Sequence, residues 1–507
     1  MEAISTVSDL EAPGIHDDPR SRAIEYPLPR SLGNCILIAD FLSATECKAL
    51  IAQAEARGFA SAESDYPPSY RNNDRQVLDD PALAERLLRR LNEVCQGGAE
   101  NLLDADQRTG WRLQGVNERL RLCRYRPGQQ FRIHQDGVHH RGPDCRSMLT
   151  FMVYLTDGNE FEGGDTLFYG AGPAHGESAD DIVARVRPRA GSLILFDHGV
   201  WHAGATVTRG TKYILRSDLL FHRTQGEDAE PIATAHHQGY IWALATLAGG
   251  GLASGGRDGN IRLWKADGTA IRTLTGHGQS VLGLADIGNG LLASISRDRT
   301  LRFWATASGR CLKTVTAHRA AALSIARLSD RLIATGGADH SIQLWSAQGE
   351  RLRMLEGHQG WVWGLAALAD DLLASASEDG SLRIWDLQRD QCIARRQTPH
   401  PMRTIDAHPE ALATGDANGN VRLWAFDGER LVETASFTAH AAAVRRVRFL
   451  RDGRLATCGE DNCLRIWDIP SLALLHEDQR INFVTDVVEL QGGATVSCGY
   501  DGELVWS

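Results

Sequence analysis

The chain has 507 residues and a formal net charge of −10, with 43% hydrophobic and 23% charged residues. This length exceeds what one hydrophobic core usually carries, so we expect at least two domains. The acidic balance counts against a nucleic-acid-binding protein, because that binding depends on neutralising phosphates. No apolar run is long enough to span a membrane, and the 10 cysteines form no CxxC pair. We therefore predict a cytoplasmic protein with reduced thiols and neither a nucleic-acid nor a membrane partner.

The N-terminal part is predicted to begin with a polar, disordered segment over residues 1–30. A strand-like apolar run, CILIADFL, follows it. Ser43 and Glu46 then form a capping-box pattern, which predicts a helix through Ala56. Pro81, preceded by two aspartates, is placed to open a second helix. Both helices are expected to pack outside a β domain.

The segment from residue 117 onward reads as β structure. Short alternating apolar runs (RLRLCRY, SMLTFMVYL, DTLFY, SLILFD and TKYILRSDLLF) are separated by glycine-rich turns. We therefore predict a mainly β chain whose first domain, residues 31–223, is a double-stranded β-helix (jelly roll) with flanking helices.

Three residues of this β region are candidate metal ligands. His134 and Asp136 form an HxD pair in FRIHQDG, and His202 follows in DHGVWHAG. Because residues i and i+2 of a strand point to the same face, His134 and Asp136 can bind one ion, completed by His202 from a neighbouring strand. Two histidines and one carboxylate form the facial triad of non-haem Fe(II) oxygenases. His198, four residues before His202, is the competing third ligand.

Other residues are placed to bind a carboxylate cosubstrate. Lys212 lies ten residues after His202 in GTKYILRSDLLF, where its ammonium group can pair with the distal carboxylate of 2-oxoglutarate. Arg216 shares the strand face of Lys212 and is the alternative anchor. Tyr125, nine residues before the HxD pair, and Tyr154 in the next strand each offer a phenol that can hydrogen-bond the cosubstrate.

These phrases together resemble the prolyl 4-hydroxylase-like family of 2-oxoglutarate oxygenases. The matching stretches are RYRPGQQFRIHQDG, LTFMVYLTD, FEGGDTLFY, PRAGSLILFDHGVWHAG and GTKYILRSDLLF, in the family's order. The resemblance implies His134, Asp136 and His202 as iron ligands in the catalytic centre, with Lys212 as the 2-oxoglutarate anchor and Tyr125 as its partner. It also implies Fe(II) as cofactor, 2-oxoglutarate and O2 as cosubstrates and ascorbate as reductant.

The second half of the chain repeats itself, after a short polar linker predicted at 224–230. Each unit closes on a phrase such as SGGRDGNIRLW or SASEDGSLRIW, in which an Asp-Gly-type turn separates two short apolar runs. A histidine precedes the tryptophan at one fixed distance in five of the seven units. The tryptophans recur about every 40 residues, at Trp264, Trp304, Trp345, Trp385, Trp424, Trp467 and Trp506.

The units resemble WD repeats, which implies a seven-bladed β-propeller over residues 231–507. The family closes its ring by adding an early strand to the last blade, and residues 231–235 can supply that strand. Because the histidine, aspartate and tryptophan recur in nearly every unit, we interpret them as packing residues. The position three after the repeat histidine varies instead, and we predict a partner-docking face there with Tyr240, Trp361 and Arg403 as its candidates.

We therefore predict a 2-oxoglutarate- and Fe(II)-dependent dioxygenase that hydroxylates a protein side chain, prolyl being favoured. The propeller is predicted to recruit the protein substrate or a partner. Three alternatives remain at this level. The enzyme hydroxylates a free small molecule or amino acid and uses the propeller as a scaffold; the chain is a non-catalytic WD-repeat scaffold; or it demethylates nucleic acid with the same iron chemistry.

Overall fold

The structure, a computed structural model, describes residues 23–64, 66–68, 70–95, 110–142, 145–173, 181–223, 237, 239–369 and 371–507. The described residues divide into two compact units, with the break in the segment 224–236. Residues 1–22 of the predicted disordered segment, the predicted linker and the predicted ring-closing strand lie outside the described residues. The domain boundaries therefore stay predictions. Neither described helix is long and apolar enough to cross a membrane.

The first unit combines two helices with sixteen strands in its described part. The helices are α1 (Ala44–Arg57) and α2 (Pro81–Val94), with 3-10 turns at Arg30–Leu32 and Ala62–Ser64. The strands are β1 (Ile24–Glu25), β2 (Cys35–Ile38), β3 (Ala60–Ser61), β4 (Asp74–Asp79), β5 (Trp111–Val116), β6 (Arg119–Tyr125), β7 (Phe131–His134), β8 (His140–Gly142), β9 (Cys145–Tyr154), β10 (Glu162–Gly163), β11 (Thr166–Tyr169), β12 (Ile182–Val186), β13 (Leu193–Asp197), β14 (Trp201–Gly204), β15 (Val207–Arg209) and β16 (Lys212–Arg223).

Both helices begin where the sequence predicts. The Ser43 hydroxyl accepts the Glu46 backbone N–H while the Glu46 carboxylate accepts that of Ser43, so the capping box is complete at the start of α1. The Asp80 carboxylate accepts the Leu83 N–H at 2.9 Å, and Pro81 occupies the first turn of α2. These caps satisfy backbone donors that the first turn of a helix leaves without a partner.

The strands of the first unit form two main sheets. The larger has the order β1-β2-β13-β9-β16-β6-β4-β3, with β5 on β16 and β8 on β9, and the smaller has the order β12-β11-β14-β7. Between β6 and β16 the chain passes back and forth between these two sheets, and a separate pair joins β10 and β15. This order is that of a double-stranded β-helix, so the predicted jelly roll with flanking helices is confirmed.

The larger sheet is buried on both faces. In β9, Phe151 and Val153 join a core with the apolar face of α1 and α2, whereas Met152 and Tyr154 join a second core with residues of the smaller sheet such as Phe168. This alternation follows from the two-residue period of a strand. Polar side chains at the inner positions of β9 and β16 therefore lie between the two sheets.

The second unit consists of seven antiparallel sheets, numbered here as blades 1 to 7 in chain order. Blade 1 is β17 (Ile241–Thr246), β18 (Leu252–Gly256), β19 (Ile261–Trp264) and β20 (Ala270–Leu274); blade 2 is β21 (Val281–Gly288), β22 (Leu291–Ser296), β23 (Thr300–Ala305) and β24 (Arg310–Thr316); blade 3 is β25 (Ala322–Arg327), β26 (Leu332–Gly337), β27 (Ile342–Ser346) and β28 (Arg351–Leu355); blade 4 is β29 (Val362–Ala369), β30 (Leu372–Ser377), β31 (Ser381–Asp386) and β32 (Gln391–Gln397); blade 5 is β33 (Met402–His408), β34 (Ala411–Asp416), β35 (Asn420–Phe426) and β36 (Leu431–Thr438); blade 6 is β37 (Val444–Phe449), β38 (Leu455–Gly459), β39 (Cys463–Asp468) and β40 (Ala473–Gln479); blade 7 is β41 (Val484–Glu489), β42 (Thr495–Gly499) and β43 (Leu504–Trp506).

The seven blades close into a ring. The first strands of consecutive blades contact one another, and β17 of blade 1 contacts β41 of blade 7. The hydroxyl of Thr485 on β41 donates to the Ile241 carbonyl at 2.6 Å, which fixes this junction. Blade 7 has three strands among the described residues. The predicted seven-bladed propeller is confirmed.

The repeat histidine, aspartate and tryptophan form one hydrogen-bonded network in each regular blade. In blade 4, His358 contacts Asp379 through Nδ1 at 3.2 Å and Ser375 through Nε2 at 2.7 Å, and Trp385 donates to the same Ser375 oxygen at 2.8 Å. The equivalent sets are His237, Ser254, Asp258 and Trp264; His277, Ser294, Asp298 and Trp304; His318, Thr335, Asp339 and Trp345; and His440, Thr457, Asp461 and Trp467. Their hydrogen-bonding capacity is used inside the blade, so these residues stabilise the fold.

Candidate metal and cosubstrate site

Three buried side chains, two on paired strands and one just beyond the end of a strand, converge between the sheets of the first unit. His134 ends β7, His202 lies on β14, and the two are direct cross-strand partners. Asp136 follows just beyond β7, where its backbone N–H donates to the His198 carbonyl at 2.9 Å. One ligand atom from each of the three lies within 4.8 Å of the others. This is the group of residues in which the sequence predicts a metal site, with His202 and not His198 as its third member.

Both imidazoles are oriented so that Nε2 faces the centre of the cluster. The Nδ1 atom of His134 lies 2.7 Å from the Arg132 carbonyl and that of His202 lies 3.0 Å from the Val200 carbonyl, so each Nδ1 carries the proton as donor. Each Nε2 therefore has a free lone pair, and each lies 3.6 Å from a carboxylate oxygen of Asp136. The Nε2 of His134 is buried without a hydrogen-bond partner. Backbone carbonyls that fix the other ring nitrogen are typical of metal-binding histidines, so the donor set fits Fe(II).

The electrostatics keep Asp136 and His202 in the protonation states that a metal requires. Burial alone would raise the pKa of Asp136, but the Arg216 guanidinium and the two imidazoles hold it well below its ordinary value. Burial, with a contribution from His134, lowers the pKa of His202 to about 3. The cluster is therefore an ionised carboxylate with a neutral imidazole on β14.

A buried hydrogen-bond chain, which the sequence analysis did not find, orients Asp136. The Thr150 hydroxyl donates to Asp136 Oδ2 at 2.5 Å and lies 3.1 Å from Nδ1 of His198, whose Nε2 lies 2.8 Å from the Ser147 hydroxyl. Both ring nitrogens of His198 are thus engaged, which agrees with its absence from the cluster. The only sequence signal was a threonine at an inward position of the apolar run SMLTFMVYL.

Arg216 also lies at the cluster. Its guanidinium forms an ion pair with Asp136, whereas its place in the sequence predicts an alternative anchor for 2-oxoglutarate. Asp218, two residues further along β16, is paired with Arg121 at 3.3 Å. Two acids and two arginines therefore balance one another beside the cluster, and Arg216 supports the charge of Asp136.

Replacing Thr150 by valine should weaken metal binding about 10- to 100-fold, because Asp136 loses a hydrogen bond that orients it. The change conserves shape, so the core around β9 is retained. The measurement is a competitive titration of Fe(II) or Co(II) against a chelator. Thr208→Val, an exposed threonine on β15, is the matched control and should leave the affinity unchanged. Equal affinities for the two variants would contradict a positioning role.

Lys212 occupies a separate buried position on the same inner face. Its ammonium group donates to the Gly164 carbonyl at 2.6 Å and lies 5.5 Å from the ring centre of Tyr125 and 5.8 Å from that of Tyr154. Lys212 is 3% exposed, and burial lowers its pKa from 10.5 to about 8. Gly164 is the one hydrogen-bond acceptor that the described residues offer it. A bound carboxylate would pair with this ammonium group and favour its charged form.

The two tyrosines are held beside Lys212 by the sheet. Tyr125 is the cross-strand partner of Lys212, and the Tyr154 hydroxyl donates to the Thr166 hydroxyl at 2.8 Å. Burial raises the pKa of both phenols, so both stay protonated and can donate a hydrogen bond. The three predicted cosubstrate residues therefore share one buried environment, while Arg216 lies at the metal cluster.

The predicted docking residues of the propeller differ in exposure. Tyr240 stacks on Tyr500 with ring centres 4.0 Å apart, Trp361 is 6% exposed, and Arg403 pairs with Glu378 at 2.8 Å. Trp363 lies beside Trp361 and Arg403, and its indole N–H donates to the same Glu378 at 2.8 Å. Trp361 thus offers little free surface.

Arg403 does not occupy the position in its blade that Tyr240 and Trp361 occupy in theirs. In every blade the pairing of the first two strands skips one residue of the first strand. The skipped residue is Trp242 in blade 1, Trp363 in blade 4 and Arg403 in blade 5. Arg403 is therefore equivalent to Trp242 and Trp363, and not to Tyr240 or Trp361. The prediction was wrong on this point because blade 5 lacks the repeat histidine and its phrase is shorter.

Comparison with known proteins agrees with this architecture. Residues 120–217 match the model of the 2OG-Fe(II) oxygenase superfamily. The model of the WD domain, G-beta repeat, matches residues 229–265, 268–305, 309–346, 349–386 and 431–468. The remaining blades, 5 and 7, depart from the regular network: blade 5 has no repeat histidine, and in blade 7 Arg480 contacts both Ser497 and Asp501 in its place.

Several curated proteins are similar to short stretches of the chain. The nuclear distribution protein PAC1 of Gibberella zeae is 41% identical over 88 residues, which are 15% of this chain and 18% of that protein. The PAC1 protein of Arthroderma otae is 48% identical over 54 residues, 10% of this chain and 12% of that protein. The ribosome biogenesis protein YTM1 of Eremothecium gossypii is 32% identical over 75 residues, 15% of this chain and 16% of that protein. The matches thus span less than a fifth of each relative.

The double-stranded β-helix with its buried His-Asp-His cluster coincides with the oxygenase match, and the closed ring of blades contains the repeat matches. The chain therefore carries a 2OG-Fe(II) oxygenase domain together with a WD-repeat propeller.

Proposed function

We propose that the chain is a 2-oxoglutarate- and Fe(II)-dependent dioxygenase that hydroxylates a protein side chain, with prolyl as the favoured residue. Substrate, O2 and 2-oxoglutarate would give hydroxylated substrate, succinate and CO2. The observation that carries the proposal is the convergence of His134, Asp136 and His202 with a buried imidazole nitrogen that has no other partner. The oxygenase domain would comprise residues 31–223 and the propeller residues 231–507, in a cytoplasmic protein.

Each site residue has a defined task in this proposal. His134, Asp136 and His202 would bind Fe(II) on one face, and the metal when bound supplies the redox chemistry with O2. The buried Lys212 would hold the distal carboxylate of 2-oxoglutarate by a charge-assisted hydrogen bond. Tyr125 and Tyr154, both protonated, line the same interior and exclude water around that carboxylate. Ascorbate would keep the iron reduced.

The propeller supports a protein substrate over a free metabolite. Its ring carries tryptophan, tyrosine and arginine side chains at the residues that the strand pairing skips and two residues before them. These residue types dominate binding hot spots. A docked partner would raise the local concentration of its target segment at the oxygenase domain. Tyr240 and Arg403 stay the candidates, and Trp242 and Trp363 join them. Trp361, which is buried, would support Trp363, on which it packs.

The test is incubation of the full chain with Fe(II), ascorbate and 2-oxoglutarate while succinate is measured. We expect the protein fraction of a cell lysate to stimulate succinate formation several-fold, and a metal chelator to abolish it. Stimulation by the metabolite fraction alone would favour the small-molecule alternative. Absence of Fe(II)-dependent succinate under all conditions would leave the non-catalytic scaffold and overturn the proposal.

A further inference from the structure

Arg71 is buried next to the metal cluster and has no place in the chemistry described above. It is 3% exposed, its backbone bridges to that of Phe131, and its guanidinium lies 4.4 Å from the centre of the Phe131 ring. Phe131 in turn stacks on His134 with ring centres 3.6 Å apart and planes 22° apart. Arg71 is therefore separated from a cluster histidine by one aromatic ring.

The charge of Arg71 has no acidic partner among the described residues. Its Nε donates to the Asn73 side-chain oxygen at 2.6 Å and its Nη2 contacts the Cys123 sulfur at 3.5 Å. The groups that act most on its charge are Cys123, Tyr125, Tyr66 and a second arginine, Arg216, and none of them is a carboxylate. A guanidinium removed from water without a counter-charge is costly, so a bound anion that pairs with it would stabilise the site.

The buried charges of the site can accommodate an anion in addition to 2-oxoglutarate. Asp136 is balanced by Arg216, and Asp218 by Arg121. Asp165, the carboxylate that acts on Lys212, is already paired with two arginines, Arg185 and Arg187. This leaves Lys212 and Arg71 as buried cations without a carboxylate of their own. A divalent metal would add two positive charges, for a total of four. The two carboxylates of 2-oxoglutarate would offset two of these, one at Lys212 and one at the metal. Two positive charges remain. One of them is that of Arg71, because the two carboxylates of 2-oxoglutarate are assigned to Lys212 and the metal.

We propose that Arg71 binds a carboxylate of the substrate, so that the oxygenase domain acts on a carboxylate-bearing molecule. Arginine suits this task because its planar fork can hold both carboxylate oxygens at once. The carboxylate can come from a free amino acid or from an acidic side chain next to the target residue of a protein. This inference rests on the proposed function and deepens it by naming the substrate class.

The first part of the test asks whether Arg71 is structural. The melting temperature of the full metal-free chain is measured in carboxylate-free buffer for the wild type and Arg71→Met, a change of similar volume. Removal of an uncompensated buried charge should leave the melting temperature unchanged or raise it. Arg75→Met is the matched control, because Arg75 also lies over the Tyr66 ring but is half-buried. A fall of more than about 4 °C for Arg71→Met alone would overturn the proposal.

The second part separates 2-oxoglutarate from substrate. Calorimetric titration of 2-oxoglutarate into the anaerobic Fe(II)-loaded chain should give affinities for wild type and Arg71→Met that agree within about threefold. A loss of a hundredfold or more in Arg71→Met would assign the arginine to the cosubstrate and overturn the proposal. A wild-type chain that does not bind 2-oxoglutarate at all would refute the proposed function instead, so the two failures are distinguishable.

The third part identifies the source of the carboxylate. L-Proline is compared with L-prolinamide, and the blocked peptide Pro-Asp with blocked Pro-Asn, as ligands of the chain loaded with Fe(II) and 2-oxoglutarate without O2. The acid of one pair should bind about tenfold or more tightly than its amide, and Arg71→Met should remove this preference while Arg71→Lys retains part of it. Preference in the first pair indicates a free amino acid and in the second an acidic peptide. No preference in either pair would contradict the proposal.

Discussion

Replacing His134 by alanine should lower the affinity for Fe(II) at least about a hundredfold and reduce 2-oxoglutarate-dependent succinate formation below detection. Loss of a residue that merely orients a ligand already costs about 10- to 100-fold in metal affinity, so loss of a ligand should cost at least as much. The remaining donors, His202 and Asp136, would hold the metal on two atoms only. Competitive titration against a chelator measures the Fe(II) affinity, and a succinate assay measures turnover.

His222→Ala is the control for this change. It also removes an imidazole, but from an exposed position at the end of β16, and should leave the Fe(II) affinity and succinate formation unchanged. The His134 variant also loses the stacking contact with Phe131, so the melting temperature of both variants is compared without metal. Retention of metal-dependent succinate formation within tenfold of the wild type in His134→Ala would exclude this cluster as the catalytic centre.

The cluster could be predicted because its signal is local in sequence and its partner is fixed by sheet pairing. An HxD pair places two donors within one short segment, and a histidine on the adjacent strand can complete them. The structure realises this by pairing His134 with His202 across β7 and β14. It differs in one detail: Asp136 lies beyond the end of β7, where a hydrogen bond to the His198 carbonyl holds it, and so does not share a strand face with His134.

The surroundings of the cluster could not be predicted, because they depend on contacts between distant strands. Lys212 and Arg216 share a strand face, and sequence alone made both of them candidates for the same carboxylate. Their separate surroundings, Gly164 for one and Asp136 for the other, follow from where each lies along the sheet. Thr150 and Arg71 carry no motif at all, and only the burial of their polar groups marks them.

The propeller was predictable for the opposite reason, since a repeat gives the same signal seven times. Five blades keep the histidine that contacts both the aspartate and the hydroxyl residue, and these five are also the ones that the repeat model matches. Blades 5 and 7 were recognised from the tryptophan period and the turn phrase, without the histidine. In blade 7, Arg480 makes the contacts of the missing histidine, a replacement that no short-range pattern encodes.

Replacing Lys212 by methionine should weaken 2-oxoglutarate binding at least about a hundredfold. The ammonium group is buried, and a charge-assisted hydrogen bond to a carboxylate in such surroundings is stronger than one between neutral groups. Methionine keeps much of the side-chain volume between Tyr125 and Tyr154, so the loss reports the charge and not a cavity. Calorimetric titration of 2-oxoglutarate into the anaerobic Fe(II)-loaded chain measures it. An affinity within tenfold of the wild type would mean that another cation holds the distal carboxylate, and Arg216 would be the first to test.

The same lysine predicts a pH dependence of cosubstrate binding. Burial lowers the pKa of Lys212 to about 8 in the ligand-free protein, and a bound carboxylate favours the charged form and therefore raises that pKa. Below pH 8 the lysine is already protonated and the affinity is constant. Above pH 8 binding must take up a proton, so the dissociation constant should rise by up to about tenfold per pH unit until the pKa of the complex is reached. Lys212→Arg should bind 2-oxoglutarate with a flat profile over this range, because a guanidinium stays charged. A wild-type profile that is equally flat to pH 9.5 would show that the ammonium group of Lys212 does not bind the cosubstrate.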